Sequence, residues 1–351
     1  MNAGHEGRRV QDGAPPLSSG KTTARCPSSR SSRIWHALKW MLAVAGVFCV
    51  HIVIQELVAA TGATVCMVVS EFGGGDFRAM YRDGAMVMIM AMQALALMVF
   101  LPWWRRLYPG SFIERRVDAS FSHASAVSTF AILLLVAVAT QFFGGAVLDL
   151  AEPLFPGPIA DYSEMVERVG TLTIASVVSA VVLAPIGEEV LCRGIMLECA
   201  LRAVSPGWEP RWRARGLTLS SRAFWVAAVV QALAFGALHM NWIQGSYAFV
   251  FGVLEAWVYW RTGRLRYPIC LHLAFNGSAF LVGPLAPVID VLPAPLVLVV
   301  TGVLIALGIR MFGHAWPASD ALAPAPVVTG AAADASVTTR AGRGSAGDSL
   351  F

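Results

Sequence analysis

The chain has 351 residues, of which 56% are hydrophobic and only 14% are charged, and its mean hydropathy is +0.63. Soluble globular proteins carry about 25% charged residues, so this composition excludes an ordinary soluble domain and also a wholly disordered chain. The net charge of +4 equals the basic excess of residues 1–36 alone, so it does not indicate nucleic-acid binding. A polytopic membrane protein is the class that remains.

A helix that crosses a membrane needs about 20 mostly apolar residues. Lys and Arg are concentrated in alternate connections between the apolar runs, which under the positive-inside rule places both termini in the cytoplasm. We therefore predict an all-α, polytopic transmembrane helical bundle of about eight spans. The eight runs are 37–60, 84–104, 123–148, 171–197, 223–241, 245–260, 268–285 and 292–313.

The fourth run contains three charged residues, which are costly in a spanning helix unless they are paired or hydrated. Glu189 and Arg193 are four residues apart, so they share a helix face and are predicted to form an ion pair. Glu188 points about 100° away and lacks this partner, which leaves it available as a general base. Pro185 cannot donate to the carbonyl of Val181, so we expect a kinked or loosened helix that admits water. The alternative is a buried ion pair beside an incidental glutamate.

Two later runs each carry a pair of residues at the same four-residue spacing, and the pairs include two histidines and an asparagine. Phe235 and His239 share one helix face, and His272 and Asn276 share another. Taken alone, such a histidine is more often a packing or interfacial residue, and a His–Asn pair more often an interhelical hydrogen bond. Together with Glu188, these groups form a plausible hydrolytic site.

The hydrolytic hypothesis requires residues from different depths to meet. Glu188 and His272 lie cytoplasmic of their helix centres and His239 lies on the outer side, an offset of about 12 Å at 1.5 Å per residue. Helix tilt or an irregular fifth span must absorb this offset. Other charged groups receive simpler interpretations: Glu255 as a hydrogen-bond partner of a neighbouring helix, and His51 as a group that reaches water near the outer end of the first span.

The three motifs, in this order on consecutive apolar segments, resemble those of the CPBP family, which comprises CAAX proteases and bacteriocin-processing enzymes and is also called the Abi family. The resemblance covers about residues 170–285 and implies an intramembrane, glutamate-dependent endopeptidase. The residues that carry it are a catalytic set, Glu188, His239, His272 and Asn276, and a supporting set, Glu189, Arg193 and Phe235.

The resemblance also implies roles for the catalytic set. Glu188 would activate the attacking water and His239 would help to hold it. His272 and Asn276 would stabilise the oxyanion of the tetrahedral intermediate. The substrate would be a membrane-associated or lipidated, CAAX-like protein or peptide.

A metal-independent mechanism is favoured over a metalloprotease-like one. Two histidines and a glutamate are a normal zinc set, and a metal would be bound by His239, His272 and Glu188. However, Asn276 is a poor zinc ligand and the sequence contains no HExxH motif. We therefore expect no cofactor.

These interpretations divide the chain into five parts. The expected partners are the substrate and membrane lipid, without nucleic acid, and the expected location is a bacterial plasma (inner) membrane. Residues 199–222 are predicted to include a short amphipathic interfacial helix. The parts are a disordered basic tail (1–36), spans one to three (37–165), a catalytic domain of spans four to seven (166–290), span eight (291–316) and a disordered tail (317–351).

Two rival functions stay open at this point. The same polar groups could hold together a non-enzymatic membrane protein that confers immunity to a bacteriocin or regulates a partner. They could also line the pathway of a transporter, although no inverted repeat supports that. The oligomeric state is left open.

Overall fold

The computed structural model describes residues 30–113, 125–169, 173–205, 221–289 and 291–317. Within these ranges the chain is helical and contains no strand, so the predicted all-α class is confirmed. The helices are α1 (Arg30–Gly73), α2 (Phe77–Leu107), α3 (Ala126–Ala151), α4 (Pro156–Val169), α5 (Ile174–Val204), α6 (Ser221–Leu238), α7 (Trp242–Thr262), α8 (Arg266–Ile289) and α9 (Ala294–Ala315).

Each of the eight apolar runs overlaps a different helix. By length and composition, six helices in the described part of the chain could cross a membrane, namely α1, α2, α3, α5, α6 and α9. The predicted sixth and seventh spans correspond to α7 and α8, which are not among these six. Both carry polar residues in their interiors, including Glu255 on α7 and His272 and Asn276 on α8.

Helix α1 begins earlier than the sequence predicts. It starts at Arg30, so residues 30–36 are helical and their assignment to a disordered tail is wrong. The additional turns pack against the end of α5: His36 Nε2 donates to the carbonyl of Arg202 at 3.1 Å, and the Arg202 guanidinium lies 4.8 Å from the centre of the Trp40 ring. The rest of both predicted tails, and most of the predicted amphipathic helix within 199–222, lie outside the described residues.

Helix α4 occupies the acidic connection between the third and fourth apolar runs, where the sequence predicts no span. Its first residue is Pro156, where the missing N–H is not needed. Ile159 is buried, and the hydroxyls of Tyr162 and Tyr247 are 3.1 Å apart, so α4 packs on α7. Burial at this contact raises the pKa of Tyr162 above its ordinary value.

Helix α5 widens on both sides of Glu188. The segments Val178–Leu183 and Val190–Met196 are π-helical, so each backbone N–H bonds to the carbonyl five residues earlier. The Ala184 N–H bonds in this way to the carbonyl of Ser179. Pro185 follows directly, and the loosening predicted at this proline takes the form of a wider turn.

Helix α2 lies close against α5 because two glycines remove side chains from the contact. A Cβ on Gly194 would lie 2.6 Å from Cδ1 of Trp104, and one on Gly187 would lie 3.6 Å from Cγ of Leu97. A main apolar core formed largely by α1, α2, α5, α6 and α7 surrounds this contact. Glu188 and its neighbours therefore lie beside this apolar core.

Helices α3, α8 and α9 form a second apolar cluster with part of α7. Arg261 on α7 donates to the carbonyls of Gly313 and Trp316, so it caps the C-terminus of α9. The indole of Trp316 donates to Thr129 Oγ1 on α3 at 3.2 Å. This cluster packs α3 and α9 against α7 and α8.

Candidate active site

Arg193 is the centre of a fully buried ionic network. Its Nη1 donates to Glu189 Oε1 at 2.7 Å, as the spacing along α5 predicts. Its Nη2 bonds to Glu255 Oε2 on α7. All three side chains have no exposed surface. The network ties α5 to α7 and places two carboxylates around one guanidinium.

His272 on α8 is the next member of this network. Its Nδ1 is 3.0 Å from Glu189 Oε1 and 3.1 Å from Glu255 Oε1. The first contact has hydrogen-bond geometry, whereas that oxygen of Glu255 accepts no hydrogen bond among the described residues. Because an ionised carboxylate only accepts, Nδ1 carries the proton. The other ring nitrogen, Nε2, lies 3.6 Å from Glu188 Oε2.

Glu188 differs from Glu189 in its surroundings, as the sequence predicts. The Glu188 side chain is 28% exposed, and Glu189 is fully buried. Among the described residues, Glu188 makes one ion-pair contact, in which its Oε2 lies 3.6 Å from Nε2 of His272. Its carboxylate is therefore the acidic group of this cluster that water can reach.

His239 follows directly after the end of α6 and has a fixed tautomer. Its Nδ1 lies 2.9 Å from the carbonyl of Phe235, and a carbonyl can only accept, so Nδ1 is the protonated nitrogen. In the neutral imidazole, Nε2 is then a lone-pair acceptor. The Phe235 ring, 2% exposed, lies 4.9 Å from the His239 ring and 4.5 Å from the Arg193 guanidinium carbon. Phe235 thus separates the buried ionic network from His239.

Asn276 links α8 to the wide turn of α5. Its Nδ2 donates to the carbonyl of Ala180 at 2.8 Å. In the five-residue register, that carbonyl would bond to the N–H of residue 185, which is a proline. In an ordinary α-helix, the carbonyl left without a donor by Pro185 would be that of Val181. In this wider turn it is the carbonyl of Ala180, one residue earlier, and Asn276 donates to it. One N–H and the carbonyl oxygen of the Asn276 amide remain for other partners.

Two adjoining pockets contain this site. Glu188, Phe235 and His239 line both pockets, and His272 and Asn276 line the second. The four predicted catalytic residues are therefore brought to one cavity, and the offset expected for His239 is absorbed. The four residues lie in the predicted spans four to seven, and α1 and α2 also contribute to the wall of the cavity.

The residues contributed by α1 and α2 include polar side chains. His51 is 8% exposed and lines the first pocket, so the expectation that it reaches water at the end of a span is wrong. Gln55 and Gln93 line the same pocket. The signal for His51 was present in the sequence, because an ionisable group in an apolar run requires a partner or a function.

Glu255 is a second residue that contributes more to the site than its sequence context predicts. The expected hydrogen bond to a neighbouring helix is confirmed, and it is one to the buried Arg193. Gly252, one turn earlier on α7, makes room for this contact. A Cβ there would lie 3.0 Å from Cδ1 of Phe235 and 3.3 Å from Nη2 of Arg193.

A metal ion does not fit the buried carboxylates. In the described part of the chain, one cluster of potential ligands, Glu189, Glu255 and His272, has its ligand atoms within 4.8 Å of one another. This is not the set predicted for a metal. The Arg193 guanidinium already bonds to both carboxylates, and a divalent cation at the same position would be repelled by its charge.

A water-accessible carboxylate beside two imidazoles, enclosed by apolar helices, is the arrangement expected of a membrane-embedded hydrolase. Residues 170–278 match a family model described as type II CAAX prenyl endopeptidase Rce1-like. The chain therefore carries a domain of the CAAX protease family and is a membrane protease that acts on peptide bonds, as the three motifs predict. Neither a curated protein nor a solved structure matches the chain.

Proposed function

We propose that the protein is a glutamate-dependent endopeptidase in which Glu188 is the catalytic base. The observation that carries this proposal is the difference between two adjacent carboxylates. Glu189 is buried and bonded to Arg193, whereas Glu188 is 28% exposed and lines both pockets with His239. A general base must reach both water and substrate, and Glu188 meets this requirement.

In the first step, Glu188 accepts a proton from a water molecule in the cavity. Nε2 of His239 is a lone-pair acceptor and receives the second hydrogen bond of this water, which orients its oxygen. That oxygen attacks the carbonyl carbon of the scissile peptide bond. The carbonyl oxygen becomes an oxyanion, and the proton remains on Glu188.

His272 and Asn276 stabilise the oxyanion. With Glu189 and Glu255 both ionised, their two negative charges face one positive charge on Arg193, and a protonated His272 completes the neutrality of the buried network. Its Nε2–H then points away from the network and serves as a donor, together with the N–H of Asn276 that Ala180 does not use. Collapse of the intermediate breaks the C–N bond, and Glu188 returns its proton to the departing amine.

We further propose that catalysis is independent of metal. Arg193 supplies the positive charge that holds Glu189 and Glu255, and the remaining catalytic groups, Glu188, His239, His272 and Asn276, suffice for proton transfer and oxyanion stabilisation. No step of the reaction above requires a Lewis acid.

The proposed substrate is a membrane-associated or lipidated, CAAX-like protein. The matched family is one of prenyl endopeptidases, and the site lies within apolar helices where a lipid chain can remain in the bilayer. We propose eight spans with both termini in the cytoplasm, in a bacterial plasma membrane, with α7 and α8 as the sixth and seventh. The proposed catalytic domain is 166–290.

The test is cleavage of a fluorogenic, prenylated peptide that ends in a CAAX sequence by the purified full-length protein in lipid nanodiscs. The wild type is expected to cleave it, and Glu188→Gln, which keeps the shape but cannot accept a proton, is expected to lower kcat by at least about 10²-fold.

Glu56→Gln is the matched control, because Glu56 is an exposed glutamate on α1 that does not line the cavity. It should cleave at the rate of the wild type. Full activity of Glu188→Gln, at the same level of folded protein, would show that Glu188 is not the base.

A further inference from the structure

Helices α1 and α2 face the catalytic cavity with polar groups that the proposed reaction does not use. His51 and Gln55 come from α1, and Gln93 comes from α2. These helices precede residues 170–278, the segment that matches the protease family. Glu188 and His239 line the same pocket, so the three polar side chains share a cavity with the proposed reacting groups.

The environment of His51 is unusual for an ionisable side chain. It is 8% exposed in an apolar helix, and its Nδ1 is buried without a hydrogen-bond partner in the described part of the chain. Its ring lies 6.1 Å from that of Phe100, so one side is packed by an aromatic residue. Burial of an unpaired polar group is destabilising, and such a group in a native site calls for an explanation. Binding of a ligand in the cavity supplies one.

Gln93 is held in place beside the cavity. Its Oε1 accepts a hydrogen bond from Ser179 Oγ, on the wide turn of α5, at 3.0 Å. This bond fixes which end of the amide faces Ser179 and leaves the N–H groups as donors. Gln244 of α7 also lines both pockets, so glutamine amides lie on two sides of the space.

The chemistry of these residues indicates their ligand. Glutamine amides and imidazole each offer donors and acceptors without a net charge, which matches the alternating N–H and C=O groups of a peptide backbone. Among the described residues, no Lys or Arg lines either pocket, which disfavours a phosphate headgroup or another anion. A peptide backbone is therefore the ligand that fits best.

We propose that His51, Gln55 and Gln93 form a subsite that binds the backbone of the substrate peptide next to the scissile bond. This inference rests on the proposed function. His51 is a substrate-binding residue in it: its imidazole hydrogen-bonds to the peptide backbone and does not take part in proton transfer. The wall supplied by α1 and α2 thus sets how tightly the substrate binds.

The experiment measures binding separately from cleavage. A fluorescent, prenylated CAAX peptide is titrated into full-length Glu188→Gln protein in nanodiscs, alone and combined with His51→Phe or His51→Asn. Phenylalanine keeps a ring but no donor, whereas asparagine restores one donor and one acceptor. His51→Phe is expected to raise Kd about 10-fold, and His51→Asn is expected to recover most of this loss.

The matched control is His36→Phe, the same change on the same helix at a residue that does not line either pocket. It should leave Kd unchanged. In the background with Glu188 intact, His51→Phe should raise KM about 10-fold and change kcat little, which separates peptide positioning from proton transfer.

Each outcome addresses one hypothesis. If the wild type cleaves but His51→Phe binds as well as its parent, the subsite is wrong and the proposed function stands. If the wild type does not cleave but binding depends on residue 51, the proposed function fails and the subsite stands. An equal loss for His36→Phe, no recovery by His51→Asn, or no binding of the peptide at all would overturn the subsite.

Discussion

The side chain of Asn276, on α8, hydrogen-bonds to a backbone carbonyl of another helix, α5. Its Nδ2 donates to the carbonyl of Ala180 at 2.8 Å, and that carbonyl lacks its own partner because residue 185 is a proline. Asn276 is thus oriented by Pro185 from 91 positions away in the sequence. The bond fixes one N–H of the amide and leaves the other for the proposed oxyanion.

Pro185→Ala is expected to separate stability from activity. Alanine supplies an N–H that bonds to the carbonyl of Ala180 and displaces Asn276. The thermal midpoint should stay the same or rise, because a proline is removed from a helix interior. Since a displacement of about 1 Å can cost 10²-fold in rate, kcat should fall by about 10-fold or more.

Pro102→Ala is the control for this prediction. Pro102 lies inside α2 and does not line the cavity, so its replacement should affect stability in the same direction and leave kcat unchanged. An unchanged kcat for Pro185→Ala would show that the bond between Asn276 and Ala180 does not matter for catalysis.

Arg193→Met is expected to be strongly destabilising. It leaves Glu189 and Glu255 buried without their common partner, and removal of one member of a buried ion network costs about 3–5 kcal/mol in the free energy of unfolding. Replacing both glutamates by glutamine in the same protein should recover part of this loss. Denaturant unfolding in detergent measures both effects.

An exposed ion pair provides the comparison. Arg82 and Asp83 are 3.1 Å apart, with side chains 71% and 70% exposed. Arg82→Ala should change the free energy of unfolding by less than about 1 kcal/mol. An equally small effect for Arg193→Met would mean that the buried network does not stabilise the fold.

Gly252→Ala tests the space around Arg193 and Phe235. The new Cβ would lie 3.0 Å from Cδ1 of Phe235 and 3.3 Å from Nη2 of Arg193, so both groups must shift. We expect a loss of about 1–3 kcal/mol in stability, together with a lower kcat because Phe235 packs against His239. Gly46→Ala has no atom within 4 Å of the new Cβ and should be neutral or stabilising. Equal stability and kcat for the two variants would contradict the prediction.

Chelators are expected to leave the protease active. Incubation with EDTA or 1,10-phenanthroline, followed by the peptide cleavage assay, should give the rate of the untreated enzyme. The reason is the position of Arg193, whose guanidinium bonds to both carboxylates of the potential ligand cluster. Loss of activity that added zinc restores would instead require a metal-dependent mechanism.

The sequence predicts the helical class and the ion pair because both depend on local patterns. Apolar runs of sufficient length are helices in a membrane, and a four-residue spacing places Glu189 next to Arg193. The wide turns of α5 were beyond such reasoning, because hydrophobic periodicity presupposes 3.6 residues per turn. Helix α4 was missed because its 14 residues are too few and too polar for a span.

The contacts between distant segments could not be predicted from patterns within one helix. Glu255 meets Arg193 across 62 positions, and this pairing depends on the rotation of α7 against α5. The same holds for His51, which faces the cavity because α1 and α2 pack on α5. A charged or imidazole side chain in an apolar run indicates that a partner exists, but packing decides which one.

Because α1 and α2 form part of the cavity wall, they determine which fragments of this protein can contain a complete site. A fragment confined to residues 170–278 would carry the reacting groups but would open them to lipid where Gln93 and Ala96 now stand. Helices α1 and α2 therefore complete the cavity, although they lie outside the segment that matches the family model.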